Sequence, residues 1–232
     1  MPPTIHLQPT APLAPRVLLP GDPGRALLLA TALLRQPKMF NHHRGLWGYT
    51  GEALLDDAPL TVQSTGMGGP SAAIVIAELA QLGAETLLRV GTCGGLDDSL
   101  ALGELLVVSE ALSEDGTSRA LGAEVRAVPD AGLLAALTEA GAGRARTATV
   151  VSTDLFYDTT PGTEERWRAA GATAVEMEAA TLFALAGRRG LRAAALLIVT
   201  DLLLPSRRRI ELEALRAAEH RIGELAVSAL AR

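Results

Sequence analysis

The chain has 232 residues, with 26 acidic and 21 basic side chains and a net charge of -5. This length suits one large α/β domain with a substantial core, and the acidic balance argues against nucleic acid as a partner. The single cysteine, Cys93, excludes an internal disulfide and fits a reducing cytoplasm. No signal-peptide pattern is visible and no apolar run is long enough to cross a membrane, so we expect a cytoplasmic protein with no membrane partner.

The first predicted elements surround a loop that contains an arginine. Residues 1–15 are rich in proline and irregular, and we expect them to lie on a surface or to reach a neighbouring subunit. A strand at 17–19 leads into the sequence PGDPGR, where Asp22 suits the N-cap of a following helix. A helix N-terminus beside Arg25 favours an anion, although an ordinary capped turn has the same pattern.

The segment 41–51 concentrates histidine, arginine and glycine before a hairpin predicted over 49–63. His42 and His43 do not predict a metal site, because neighbouring side chains on an extended chain point in opposite directions and no further ligand stands at a suitable spacing. Arg44 is the side chain of this segment that suits anion binding.

A loop of small residues at 65–71 opens an amphipathic helix predicted over 72–82. Its glycines superficially resemble a dinucleotide fingerprint. Their spacing differs, however, and the loop follows a hairpin strand, so the pattern does not favour a nicotinamide cofactor.

An apolar run at 86–90 predicts a buried strand that ends in a glycine-rich turn over 91–95. Such a turn would bring backbone N–H groups close to a ligand, while Arg89 offers a guanidinium fork and Thr92 a hydroxyl. Phosphate fits this set of donors best. The alternative is a structural arginine that pairs with a carboxylate.

The middle of the chain continues the alternation of strands and helices. We predict a strand at 104–112, a polar loop at 113–122, a helix at 131–140, a strand at 146–152 and a helix at 163–170. Phe156 and Tyr157 follow the second of these strands in a chain with few aromatic residues, so they are candidates for stacking on a planar ligand. Core packing is the alternative for one of the two.

Two acidic residues stand where a predicted strand passes into a helix over 179–189. Glu176 and Glu178 could stabilise the first helical turn, or one of them could accept hydrogen bonds from the vicinal diol of a ribose.

Asp201 follows the apolar run 193–199, at the end of a buried strand, where open α/β sheets bind ligands and where an acid would be useful. The alternative is that Asp201 has a structural role, as the partner of one of the arginines 207–209 in an ion pair. A last amphipathic helix is predicted over 210–230. The whole pattern predicts one α/β domain with a mainly parallel or mixed central sheet flanked by helices.

Six segments in order, PGDPGRA, NHHRGLWGYTG, STGMGGPS, RVGTCGG, STDLFY and VEMEAA, resemble the nucleoside phosphorylase superfamily, which contains the bacterial hexameric purine nucleoside phosphorylases and the uridine phosphorylases. The resemblance covers nearly the whole chain, and it implies a single phosphorylase-like domain over 1–232.

The resemblance also implies roles for thirteen residues. Phosphate would be held by Gly21, Arg25, Arg89 and Thr92, joined by Arg44 from the adjacent subunit. Ribose would contact Met67, Met177 and Glu178, with His6 of the neighbour reaching the 5′-hydroxyl. The base would be lined by Phe156, Val175 and Glu176. Asp201 would protonate a purine at N7, and no arginine among 207, 208, 209 and 216 fits the place of the one that assists this acid in the family.

The implied activity is phosphorolysis of purine nucleosides or deoxynucleosides to the free base and the sugar 1-phosphate. Inorganic phosphate is a co-substrate, no metal or organic cofactor is needed, and the family implies a hexamer built as a trimer of dimers. Uridine is the first alternative substrate, because residues 63–92 resemble both branches. The Gln-x-Arg pair that reads uracil has no match over 157–168, however, and Asp201 is compatible with both 6-amino and 6-oxo purines.

Other classes of function remain as alternatives. A hydrolytic nucleosidase would not need Arg25, Arg44 and Arg89 together. A cysteine enzyme built on Cys93 lacks neighbours that would activate the thiol. A nucleoside-binding protein without activity would bind the same ligands.

Overall fold

The computed structural model describes residues 4–158, 160–204 and 206–232. Residues 4–15 contain neither helix nor strand, and residues 1–3 of the predicted irregular segment lie outside the described residues. In the described ranges, no helix is both long and apolar enough to cross a membrane.

Strands and helices alternate along most of the chain. The strands are β1 Arg16–Leu19, β2 Leu34–Asn41, β3 Gly48–Ala53, β4 Pro59–Gln63, β5 Thr86–Gly95, β6 Leu105–Ser113, β7 Arg126–Ala127, β8 Ala145–Ser152, β9 Ala174–Glu176, β10 Arg192–Leu202 and β11 Arg208–Arg209. The helices are α1 Pro23–Leu33, α2 Gly68–Gln81, α3 Gly116–Ala120, α4 Ala131–Ala140, α5 Thr163–Ala169, α6 Ala179–Arg189 and α7 Leu212–Leu230, with a 3-10 turn at His43–Gly45.

The strands form one mixed sheet that partly closes on itself. β5 is parallel to β1 and to β10, and antiparallel to β9. β10 also pairs with β6, β6 with β8, and β8 with β9, so these five strands complete a ring. The predicted single α/β domain with a mixed sheet is confirmed, while the ring closure adds a feature that local sequence patterns do not contain.

The apolar runs of β5 and β10 are buried on both faces. In β10, Ala195 and Leu197 point into one core cluster, which α2 and α6 cover, whereas Leu196 and Ile198 point into a second cluster, which α1, α4 and α7 cover. Because successive side chains of a strand alternate between faces, a strand between two layers of helices needs apolar residues at every position. This explains why the run reads as continuously apolar.

Local signals place several helix ends. The Asp22 side chain accepts a hydrogen bond from the backbone N–H of Arg25 at 2.7 Å and caps α1, as predicted. Asp130 caps α4 in the same way. α6 ends at Arg189, as predicted, and Gly190 after it has a left-handed conformation, at φ 66°.

Among the regions that differ from the sequence prediction are residues 113–122 and the strand β2. The predicted polar loop at 113–122 contains the short helix α3, which Asp115 caps. No element was predicted over 34–41, where the structure has β2 at the edge of the sheet with most of its side chains exposed. An edge strand with exposed polar residues and a proline has no alternating apolar pattern, so periodicity cannot detect it.

Candidate active site

A cavity of about 850 Å³ opens at the carboxyl ends of β5 and β10. Eleven of the thirteen residues assigned from the resemblance line it, and they come from loops and strand ends spread over the whole chain. These eleven residues are Gly21, Arg25, Met67, Arg89, Thr92, Phe156, Val175, Glu176, Met177, Glu178 and Asp201. This volume and position are typical of small-molecule sites in α/β proteins.

Arg89 is the charged centre of the cavity. It is 5% exposed, and its Nε donates to Glu176 Oε2 at 3.1 Å while its Nη2 donates to Glu178 Oε2. Burial lowers the pKa of Arg89, but the charges of Glu178 and Glu176 outweigh this effect and hold the pKa above its ordinary value. The guanidinium therefore stays charged and has one fixed orientation.

The predicted tight turn after Arg89 is wrong, because β5 continues to Gly95. A Cβ on Gly91 would lie 2.7 Å from Cζ of Arg89, so this glycine leaves room for the arginine to fold back along its own strand. A Cβ on Gly94 would contact Leu203 and Val175 at 3.3 Å. These glycines thus allow close packing around the cavity, and they do not form a turn.

The carboxylate of Glu176, at the end of β9, is surrounded by hydrogen-bond donors. It accepts hydrogen bonds from the Ser152 hydroxyl, from Arg89 and from the backbone N–H groups of Glu178 and Ala179. Burial raises the pKa of the Glu176 carboxyl, and the Arg89 charge opposes that rise. With its oxygens engaged in this way, Glu176 orients Arg89 and caps the start of α6.

Glu178 and two methionines lie close together beside this group. Glu178 Oε1 accepts a hydrogen bond from the backbone N–H of Gly68 at 2.5 Å, at the N-terminus of α2. The Met177 side chain approaches the same glycine, and Met67 is 86% exposed at the cavity mouth. A carboxylate between apolar side chains suits a sugar, which has hydroxyl groups and an apolar face.

Arg25 lies on the first turn of α1 and lines the cavity with Gly21 and Thr92. Its Nε donates to Glu219 Oε1 of α7 at 2.8 Å. Sequence reasoning missed Glu219, since no local pattern distinguishes it from the other acidic residues of an amphipathic helix.

Asp201 is buried near the end of β10, just after an irregularity in its pairing with β5. Its Oδ1 lies 3.5 Å from Nε of Arg207 and 3.3 Å from Nε of Arg209, and its Oδ2 accepts a hydrogen bond from the Thr200 hydroxyl at 3.1 Å. The alternative of an ion pair with this arginine cluster is therefore present in the structure. The sequence analysis named these arginines as ion-pair partners but assigned none of them to assist the acid, and folding brings two of them to the carboxylate.

Phe156 and Tyr157 are on the exposed side of the cavity, whereas Trp167, a third aromatic residue of its lining, is buried. Phe156 and Tyr157 are in edge-to-face contact, with ring centroids 4.9 Å apart, and Arg207 lies over the Phe156 ring at 4.9 Å. Both rings are accessible to a planar ligand, and neither is buried in the core.

His6 and Arg44 are the two assigned residues that do not line this chain's cavity, as far as the described residues define it. His6 Nδ1 lies 2.8 Å from Glu78 Oε1, and Arg44 is exposed in the 3-10 turn with a φ of 58°. That these two side chains act in a neighbouring subunit's site stays a prediction.

Cys93 is a buried packing residue of β5. Its Sγ contacts the carbonyl oxygen of Ile198 at 3.5 Å, and burial raises the pKa of its thiol, with the Glu176 charge adding to the rise. A thiol of this kind is a poor nucleophile. Within the described ranges, no group of three or more histidine, cysteine, aspartate or glutamate residues could hold a metal ion.

The α/β fold and the charged cavity suit a small anionic or polar ligand. The family described as "Phosphorylase superfamily" matches residues 15–231, and the chain belongs to it.

Three relatives illustrate how similar the chain is to other members of this family. It is 39% identical over 194 residues to a guanosine phosphorylase of Halorubrum lacusprofundi, with 78% of this chain and 76% of the relative covered. It is 36% identical to a purine nucleoside phosphorylase DeoD-type of Geobacillus kaustophilus, with 84% of each chain covered. It is 37% identical to a protein of the same name from Jannaschia sp., with 87% of this chain and 88% of the relative covered.

Proposed function

We propose that the protein is a pentosyltransferase that catalyses phosphorolysis of purine nucleosides and deoxynucleosides. The observation that carries this proposal is that one cavity contains Arg25, Arg89 and Thr92 together with the carboxylates of Glu178 and Asp201. The first three are donors for phosphate, Glu178 suits a ribose diol, and Asp201 suits the leaving base. The names of the similar proteins agree with this assignment.

At C1′ of the sugar, the reaction forms one bond and breaks one. A phosphate oxygen attacks C1′ of the sugar while the bond from C1′ to N9 of the purine breaks, and the electron pair of that bond moves into the base. Asp201 donates a proton to N7, so that the base leaves neutral. The cationic side chains position the phosphate, and the fixed charges stabilise the transition state without reorganising.

The surroundings of Asp201 divide its two oxygens between different tasks. The Nε atoms of Arg207 and Arg209 approach Oδ1, whereas Oδ2 accepts a hydrogen bond from the Thr200 hydroxyl. Oδ2 is therefore the oxygen that we assign to the proton that goes to N7. Proton donation of this kind contributes about 10²–10⁴-fold to a rate.

The direct test is to assay adenosine, inosine, guanosine, their deoxynucleosides and uridine, with and without inorganic phosphate. We expect base and sugar 1-phosphate from purine nucleosides only when phosphate is present. Equal release of base without phosphate would indicate a nucleosidase, a preference for uridine would place the protein in the other branch, and binding without turnover would indicate a binding protein.

The proposal includes an oligomer, a hexamer built as a trimer of dimers, in which Arg44 and His6 complete a neighbour's site. Mixing tests this arrangement. We expect Arg44→Ala and Asp201→Ala proteins to be impaired separately and to regain activity when their subunits are exchanged, because one hybrid site then has both intact side chains. Absence of any recovery, with subunit exchange demonstrated, contradicts a shared site. The cytoplasmic location stays a prediction from the cysteine content.

A further inference from the structure

Arg25 contacts a buried carboxylate that is not itself part of the cavity lining. We propose that Glu219 of α7 is a positioning residue that orients the Arg25 guanidinium toward phosphate. This inference rests on the proposed function, because it gives a role to a residue behind the phosphate end of the same site.

The geometry of the ion pair supports this role. Nε of Arg25 donates to Glu219 Oε1 at 2.8 Å, and each of the two side chains is 10% exposed. Arg25 lines the cavity, whereas Glu219 lies on the middle of α7 behind it. The Asp22 cap fixes the backbone of Arg25 at the other end of the side chain.

An arginine held through Nε has its two terminal nitrogens in a defined plane. Neither terminal nitrogen of Arg25 has a hydrogen-bond partner among the described residues, so both are available to a ligand in the cavity. A guanidinium presents these nitrogens as a planar fork that matches two phosphate oxygens. Fixing the fork beforehand removes part of the conformational entropy that phosphate binding would otherwise cost.

The same arrangement occurs at the second arginine of the cavity. Nε of Arg89 donates to Glu176, another buried glutamate, while its Nη2 donates to Glu178. Arg25 lies on α1 and Arg89 on β5, and their glutamates lie on α7 and β9. Two independent pairs with the same engaged nitrogen favour orientation of the arginines over a role in joining helices alone.

The experiment compares Glu219→Ala with the parent protein in steady-state phosphorolysis of inosine. We expect the KM for phosphate to rise about tenfold, the scale of losing one hydrogen bond to a charged group, while the KM for the nucleoside changes less than about twofold. Glu219→Gln keeps an oxygen acceptor, so a smaller rise is expected. Glu224→Ala removes an exposed glutamate from the same helix and is the matched control, with no change in either KM.

Two further measurements separate orientation from structural support. Calorimetric binding of inorganic phosphate without nucleoside should weaken in Glu219→Ala by the same factor as KM. In an Arg25→Ala background, Glu219→Ala should have no additional effect on the KM for phosphate, since its effect passes through that arginine.

The inference is overturned if the KM for phosphate is unchanged or lower in Glu219→Ala, or if both KM values rise equally, as a general loosening of α7 would cause. If Glu219→Ala does not fold, Glu219→Gln takes its place in the kinetic assay and in the phosphate titration. An unchanged affinity for phosphate in both measurements then overturns the inference. A parent protein whose turnover does not depend on phosphate contradicts the proposed function instead, so the two failures are distinguishable.

Discussion

Arg89, Glu176 and Glu178 are almost entirely buried, whereas Phe156 and Tyr157, which line the same cavity, expose 55% and 84% of their surface. In the first group, Arg89 lies within β5, Glu176 at the end of β9 and Glu178 at the start of α6. Hydrogen bonds fix each of these side chains. The second group lies on the segment between β8 and α5. One end of the cavity is therefore fixed before a ligand binds, and the other is open.

This difference predicts how the two ends respond to substitution. Removing a buried charge leaves its partners unpaired and costs several kcal/mol, whereas truncating an exposed ring removes only a contact with the ligand. We expect the phosphate and ribose contacts to be strict and the base contacts to tolerate several purines. The following substitutions test this contrast.

The largest effect is expected for Arg89→Ala. The substitution leaves the buried carboxylates of Glu176 and Glu178 without their cation, so the free energy of unfolding should fall by about 3–5 kcal/mol in urea titrations. The KM for phosphate should rise far more than the KM for the nucleoside. Arg126→Ala, which breaks an exposed ion pair with Glu110, is the control and should cost less than about 1 kcal/mol. An unchanged KM for phosphate would contradict the role of Arg89.

The next effect is expected for Asp201→Ala, measured as kcat for purine nucleosides. Loss of the proton donor should lower kcat by about 10²–10⁴-fold with little change in the KM for phosphate. Asp158→Ala, which removes another carboxylate that lines the cavity, should leave kcat within a few-fold of the parent. If kcat is equally insensitive to Asp201→Ala, this residue is not the acid.

A smaller effect is expected for Phe156→Ala at the open end. Loss of one stacking contact should raise the KM for the nucleoside by up to about tenfold, since aromatic contacts are worth about 0.5–1.5 kcal/mol. Tyr157→Ala should have less effect, because that ring is more exposed. If the KM for the nucleoside rises in Phe156→Ala as much as the KM for phosphate rises in Arg89→Ala, the two ends of the cavity do not differ as described.

The smallest effect is expected at Cys93. Because its thiol is buried and its pKa is raised, a thiol reagent at pH 8 should label the protein only after unfolding, and Cys93→Ser should retain activity. Rapid labelling of the folded protein, or a large loss of activity in the serine variant, would contradict this placement.

Sequence patterns predicted most of the regular structure. The N-cap at Asp22 follows from a hydrogen bond within a few residues, and the end of α6 before Gly190 follows from the backbone preference of glycine. The buried strands β5 and β10 follow from uninterrupted apolar runs, and both caps and runs are local signals that a sequence displays directly.

Most of the cavity was also predicted, although by a different route. Eleven of the thirteen assigned residues line one cavity, and their assignment came from the resemblance, which supplies long-range information that local patterns lack. The exposed edge strand β2 was missed and the turn after Arg89 was wrong. β5 continues because it pairs with the distant strands β10 and β9, whereas β2 forms by pairing with β3, the next strand along the chain. Neither pairing is visible in composition or in the apolar pattern.

The sequence by itself determined where most of the helices and strands lie, the alternation that makes an α/β domain, and a set of charged residues near the strand ends. Only the tertiary structure decided how those charges pair. Arg89 contacts carboxylates 87 and 89 positions away, Arg25 contacts one 194 positions away, and Arg207 and Arg209 turn back to Asp201. The physical reason is that helices and strands form according to neighbours along the chain, whereas these ion pairs form only when the sheet closes. Burial of one charged partner is then costly unless the other partner is buried beside it.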